Sequence, residues 1–446
     1  MQWLTLAFTF VAMALLQRLA RAGPVEARAT LALGFLLLAA HLGGVLAQRL
    51  RLPRITGFLL TGFAAGPAWL GLVRPDEVQA LSAISTGALA LVAFAAGAEL
   101  RLAALRDSLQ RIAILRIAAG AIAVPFAVVT FVVLTVSPWF PLTAHQPFRD
   151  AVAVALVLGT VAAVSSPVLT WALITDVGAR GSVSRTILGV TIAQDAAAVL
   201  LLTLVLAFGQ LLASAGSVTP GIAAVAFLRL GGSIAAGVLL SVAIAQYVKV
   251  IRRHLVLLLV AVAFLVVQAV RLIGLEAVLI ALAAGCALEN LAPVESERLR
   301  SELNRCALPI YVVLFALAGS DLRLGGLADL WAWGVLLVGL RITSLRIGLR
   351  WAGRHPAVSA NLVTHGWLGL VSQGGLALTL AAILRRAFTE SNLSVESLLV
   401  AMIGVQAIAG PVCFHWALRR TGEVTEEVHD TEARDDPALV PGSGGV

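Results

Sequence analysis

The chain has 446 residues, 60% of them hydrophobic and only 13% charged, with a mean hydropathy of +0.96. A soluble domain would carry roughly twice that charge and would space its apolar residues with amphipathic periods, so this is a multi-pass membrane chain with no room for a large soluble domain. The formal net charge of +8 does not point to nucleic acid, because Lys and Arg are strung between apolar runs and form no patch.

In chain order the apolar runs predict about fourteen spans, at 2–17, 28–48, 55–73, 79–98, 112–136, 150–174, 186–208, 221–247, 254–270, 275–291, 306–320, 329–350, 360–384 and 395–418. The expected fold class is therefore an all-α membrane protein of about 13–14 transmembrane helices. The first run resembles a signal sequence in length, yet it lacks a basic n-region and its basic residues, Arg18 and Arg21, follow it. Residues 1–27 are read as a retained extra N-terminal transmembrane helix, 28–418 as the membrane domain and 419–446 as a disordered tail, acidic and then rich in Pro and Gly. Assigning loops alternately to the two sides collects Arg49, Arg51, Arg54, Arg101, Arg106, Arg111, Arg180, Arg185, Lys249, Arg252, Arg253, Arg298, Arg300, Arg305, Arg350, Arg354, Arg419 and Arg420 on one side, against chiefly Arg18, Arg21, Arg74, Arg149, Arg271, Arg323, Arg385 and Arg386 on the other. With an even number of spans, the positive-inside bias then puts both termini in the cytoplasm, and the expected location is the plasma (inner) membrane.

Two spans are interrupted near their centres, 150–174 by Val164-Ser165-Ser166-Pro167 and 360–384 by Val371-Ser372-Gln373-Gly374-Gly375. They run in opposite directions, and each is followed by one more span, 186–208 or 395–418, which is the pattern of an inverted repeat. Broken helices at corresponding places of two inverted halves point to a midplane site, where unwound carbonyls and half-helix ends coordinate a cation. Ordinary kinks at Pro and Gly are the alternative.

Between the two lies Asp195, deep in the run Ile187–Ala207 and about ten residues, roughly 15 Å at helical rise, from Arg185. An ionised carboxylate there costs at least about 2.5–3.5 kcal/mol, so it ordinarily faces a watery cavity and handles ions or protons. A protonated, hydrogen-bonded structural aspartate is the alternative. Glu99, Glu289 and Asp321 read as helix-end residues, and Arg116 stays open. Cys286, Cys306 and Cys413 have no disulfide or metal-ligand spacing, and no Walker loop, H-E-x-x-H or G-x-S-x-G elbow is present, so neither an enzyme nor a cofactor is expected.

The stretch Leu52-Pro53-Arg54-Ile55-Thr56-Gly57-Phe58-Leu59-Leu60-Thr61-Gly62, ending in Gly66-Pro67, resembles the opening motif of monovalent cation:proton antiporters of the second group. Gly97-Ala98-Glu99-Leu100 resembles their "G-h-E-h" helix end, Ser165-Ser166 the serine pair of their first crossing helix, Gln194-Asp195 the "Q-D" of the Kef-type branch, and Ser372-Gln373-Gly374-Gly375 that branch's "Q-G-G-E". The resemblance covers about residues 30 to 418 and implies a sodium/proton antiporter-like fold with inverted repeats and two discontinuous crossing helices. By it, Asp195 alternately binds a cation and a proton, Gln194 is its neutral neighbour, Ser165 and Ser166 supply hard oxygen ligands, and Pro167, Gln373, Gly374 and Gly375 make the breaks. Arg341 stands where the family carries a basic residue before the second crossing helix, either as a charge partner of the site or, like Arg346, snorkelling to the surface.

Two departures qualify the match: Leu376 replaces the branch's acid, and nothing after Arg420 supplies a nucleotide-binding domain. The expected function is exchange of K⁺ or Na⁺ for H⁺ by a lipid-embedded homodimer that binds no nucleic acid. The alternatives are a gated potassium efflux channel-like protein or a non-transporting membrane sensor or scaffold.

Overall fold

The computed structural model describes residues 2–19, 23–99, 108–141, 143–144, 147–213, 221–251, 255–273, 275, 277–321, 327–374 and 393–424, and the described part is all-helical. Helix α1 (Gln2–Leu19) packs on α2 (Val25–Arg49), with Met13 buried and Phe10 edge-on to Phe35 at 5.2 Å. Pro53 caps the start of α3 (Arg54–Ala65). The expected span 55–73 is helical only to Ala65, because Pro67 forces the residue before it out of the helical region, and Gly66 is accordingly extended (ψ 177°). Its twelve residues rise only about 18 Å, and a turn then leads to the short α4 (Pro75–Ala80).

Then follow α5 (Ser82–Ala98), α6 (Ser108–Thr135), α7 (Phe148–Ala162), α8 (Pro167–Asp176), α9 (Ser182–Ala213), α10 (Gly221–Ile251), α11 (Leu255–Ile273) and α12 (Ala277–Leu291). The chain continues through α13 (Pro293–Arg305), α14 (Ala307–Ser320), α15 (Leu327–Ala352), a π-turn at Leu362–Gly366 running into α16 (Trp367–Gly369), and α17 (Leu393–Arg420). Every expected span contains helix, but 55–73 is helical only to Ala65 and, of 360–384, the helical part among the described residues is 360–369, the far half with Gly375 lying outside them. Helices α4 and α13 were not anticipated. The second is too charged to register as a span, and it buries Leu299 and Leu303, one turn apart.

Among the described residues, six stretches are long and apolar enough to cross a membrane alone: Val25–Arg49, Ser108–Thr135, Phe148–Asp176 taken across its break, Gly231–Ile251, Leu330–Ala352 and Ala401–Arg420. Arg54–Ala65, Ser82–Ala98, Leu255–Gln268 and Ala277–Leu291 are apolar but shorter.

The helices sort into two bundles. One gathers α1–α5 and α10–α14, and the other gathers α6–α9 with α15–α17. Several seams bring backbones into contact at glycine, among them Gly62 and Gly319 between α3 and α14, Gly97 and Gly285 between α5 and α12, and Gly120 against Gly348 between α6 and α15. In lipid, where apolar side chains gain little by leaving the solvent, such close approach supplies much of the packing energy. Exchanging the halves, α3 for α12 and α5 for α14, carries the first seam onto the second and leaves the third in place, as inverted repeats require.

A Cβ on Gly348 would overlap the Gly120 carbonyl, so Gly348→Leu is expected to destabilise by about 1–3 kcal/mol, read as a lowered Tm in detergent. Gly34→Ala, at a position with open space around it, is expected to leave Tm unchanged.

Candidate functional site

The two breaks cross and are bonded to each other. Helix α7 stops at Ala162, the next residues run without helix, and Pro167 starts α8 with Ser166 as N-cap, its Oγ accepting from the Leu169 amide at 3.3 Å. On the opposite side α16 stops at Gly369, and residues 371–374 are non-helical. The Ser166 amide donates to the Ser372 carbonyl at 2.9 Å, and Ser165 Oγ donates to the Leu370 carbonyl at 2.7 Å. Gly374 approaches so closely that a Cβ there would sit 2.5 Å from Ser166 Oγ.

Unwinding two helices inside a membrane strands carbonyls, and Arg341 gathers them. It is 1% exposed, projecting from α15. Its Nε donates to the Ala162 carbonyl (3.0 Å), Nη1 to Val371 O (2.9 Å) and Gln406 Oε1 (2.6 Å), and Nη2 to Val164 O (2.6 Å), Leu370 O (2.9 Å) and Ser165 Oγ (3.2 Å). The guanidinium thus sits at the C-terminal ends of both half-helices, where their dipoles favour a cation. Of the two sequence readings for Arg341, snorkelling is excluded by this burial. Arg346 instead stacks over Trp367 at 5.8 Å and Arg116 over Trp351 at 5.6 Å.

Gln406 of α17 was not singled out from sequence. It donates through Nε2 to Gln373 Oε1 at 3.0 Å, and Gln373 in turn donates to the Val161 carbonyl at 2.7 Å. The only sequence signal was an amide among apolar residues. Gln194 also works as a staple: its Nε2 donates to Ala163 O at 2.8 Å and to Ala121 O at 3.3 Å. The Ala121 carbonyl is free because Pro125, four residues on inside α6, has no N–H to give it.

Asp195 lies one residue further along α9, half-buried, and its Oδ1 is buried without a hydrogen-bond partner. It lines a cavity of about 20 Å³ with Leu89, Val164, Ser165, Ser166, Pro167, Val168, Val278 and Gly374. That is room for about one water-sized body. The N-terminus of α8, opening at Pro167, borders the same cavity and offers the positive end of its dipole to the carboxylate.

Sharing Leu89, Ser166, Val168 and Gly374 with this cavity is a vestibule of about 640 Å³ between the two bundles. Its walls come from α3, α5 and α14 on one side and from α8 and α17 on the other. Its floor includes Ser166, Gln373 and Gly374, and Asp76 and Asp321 line it as well. Asp76 is held by Arg28 at 2.6 Å, and Arg28 also reaches the fully buried Glu77 at 3.4 Å.

The other acids read as helix-end residues are engaged structurally. Glu99 caps α5 and pairs with Arg300 at 3.1 Å, while Glu289 accepts from Ser296 Oγ at 2.6 Å. Order extends past the expected start of the tail. Gly422, at φ +72°, turns the chain so that the Glu423 carboxylate accepts from the Val183 and Ser184 amides at 2.6 and 2.8 Å, capping the helix that carries Asp195.

A family model described as "Sodium/hydrogen exchanger, transmembrane" matches residues 36–419. No curated protein matches the chain. Among solved structures, it is similar to the sodium proton antiporter MjNhaP1 from Methanocaldococcus jannaschii at pH 8, with TM-score 0.66 and 16% identity over 90% of this chain and 99% of that one. It is likewise similar to an electron-microscopy map of the same antiporter, with TM-score 0.68 and 16% identity over 88% and 97%. At that identity the likeness establishes a shared fold.

Proposed function

We propose that this chain, which belongs to the sodium/hydrogen exchanger transmembrane family, exchanges one monovalent cation, K⁺ or Na⁺, for one proton at Asp195. The observation that carries this reading is the unpartnered Asp195 oxygen in a one-body cavity at the foot of a vestibule, between two crossed helix breaks. A carboxylate so held accepts either a proton or a cation but not both, and that exclusion is what antiport requires. Ser165, Ser166 and nearby backbone carbonyls are the oxygen ligands suited to a dehydrated alkali cation. Ser165 serves only partly in this arrangement, since its proton is committed to Leu370 and one lone pair to Arg341.

The bundles rock against one another around Asp195, and the vestibule faces away from the cytoplasm if the side rich in Arg is internal. Gln194-Asp195 and Ser372-Gln373-Gly374 favour the Kef-type branch, Leu376 being the departure from it. A homodimer in the plasma membrane with both termini cytoplasmic completes the reading.

In proteoliposomes, a K⁺ or Na⁺ gradient is expected to drive a luminal pH change. A channel would pass cations without obligate proton movement, and a scaffold would do neither. Because Gln194 is uncharged and Arg341 is balanced by carbonyl ends, the exchange is expected to be electroneutral. Solid-supported-membrane recording during a cation jump checks this. A sustained current scaling with turnover would show net charge movement and require a second titrating group in the cycle.

A further inference from the structure

The described vestibule approaches the Asp195 cavity from one side of the membrane, and exchange needs a route to the other. The seam opposite the vestibule, where α8 meets α3 and α14, is closed in two layers. In the first, Trp171 of α8 packs edge-on to Tyr311 of α14 at 6.0 Å, and Tyr311 packs against Phe315, which lines the vestibule. In the second, Asp176, the last residue of α8, accepts from the Arg54 amide at 2.9 Å, so that a carboxylate of one bundle caps the first turn of a helix in the other.

The helices that form this seam also carry buried polar groups. Thr56 Oγ1 on α3, Thr170 Oγ1 on α8 and Arg54 Nε are buried without hydrogen-bond partners, and the Tyr311 hydroxyl is buried beside Thr175 and Asp176. A permanently closed helix seam would be expected to satisfy or omit such groups. A seam that opens to water in another state has a use for them, because they line the wetted path.

We propose that the α3–α8–α14 seam is the second half of the transport path and that the cap placed by Asp176 on the N-terminus of α3 is the lock holding it shut. Opening breaks one charge-assisted bond and separates Trp171 from Tyr311, both at the boundary between bundles, while the bonds within the crossing stay intact. Asp176 is a positioning residue: it sets which side the site faces and does not touch the ion. The inference rests on the antiport reading only in needing a second access route.

The test uses the full chain in lipid nanodiscs, with hydrogen-exchange mass spectrometry on wild type, Asp176→Ala and Asp176→Asn. In Asp176→Ala the amides of residues 54–58 are expected to exchange about tenfold faster, whereas Asn, which keeps an acceptor oxygen, holds them within about threefold of wild type. Unchanged exchange in Asp176→Ala overturns the lock.

Should the Ala variant fail to fold, Thr56→Cys with Asp176 intact reads the route by itself. A membrane-impermeant thiol reagent is expected to modify position 56 only from the side opposite the vestibule, with peptide mapping separating it from Cys286, Cys306 and Cys413. Modification from the vestibule side overturns the route. Wild-type flux in Asp195→Asn would overturn the antiport reading and leave both of these measurements standing, so the two failures are distinguishable.

Discussion

Asp195→Asn is expected to abolish cation-dependent proton flux, by about 10²-fold or more, while expression and Tm stay close to wild type. The amide keeps the volume of the carboxyl in a cavity with room for about one water, so packing against Leu89, Val168 and Val278 is retained. What disappears is the titration, and with it any competition between proton and cation for one oxygen. Stability should not fall, because the carboxylate oxygen makes no hydrogen bond that the amide would lose and an uncharged group costs less to bury. Purified variant and wild type reconstituted at equal density, with luminal pH followed after a K⁺ or Na⁺ jump, give the comparison. Flux at wild-type rate in Asp195→Asn would remove this carboxylate from the mechanism.

The fold was legible because a bilayer makes hydropathy nearly sufficient: runs of apolar residues became α2, α6, α9 and α15 with ends within a few residues of expectation. The breaks were legible for a local reason, since Ser-Ser-Pro at 165–167 and Gly-Gly at 374–375 weaken a helix at mid-span, although Pro125 and Pro411 sit inside unbroken helices and show that such residues alone do not decide it. Less readable was what the breaks need. Nothing in the neighbourhood of Arg341 says that its guanidinium collects carbonyls from both half-helices, because the partners lie 29 to 179 positions away in sequence. Gln406 was invisible for the same reason, since one amide in a membrane helix has no period and its meaning comes only from Gln373 and Arg341 beside it. The short α3 was misjudged because apolar residues continue past Gly66-Pro67, and composition outvoted a local stop signal. Glu423 was lost in an acidic, Gly-containing tail whose composition reads as disorder, although one carboxylate of it caps α9.

Arg341→Met is expected to be the most destabilising single change at the site, at about 3–5 kcal/mol, with loss of flux following from loss of the crossing. The methionine fills much of the volume but leaves the carbonyls of Ala162, Val164, Leu370 and Val371 without their common donor, in a place water does not reach. Each buried acceptor left unmade costs about 1–3 kcal/mol, and relaxation of the two half-helices recovers part of the sum. Arg341→Lys separates charge from geometry. An ammonium keeps the favourable interaction with both C-terminal dipoles but has three donors at one point, where the guanidinium spreads its donors over six acceptors. The Lys variant is therefore expected to fold with a Tm between wild type and Arg341→Met and to transport about tenfold more slowly. Reduced flux at unchanged Tm would locate the effect in the position of Asp195 alone. A Lys variant as unstable as Met would show that donor geometry, more than positive charge, holds the breaks together. Wild-type Tm and flux in Arg341→Met would mean that the crossing is secured by the Ser166–Ser372 bond and by Gln373 and Gln194, with the arginine dispensable.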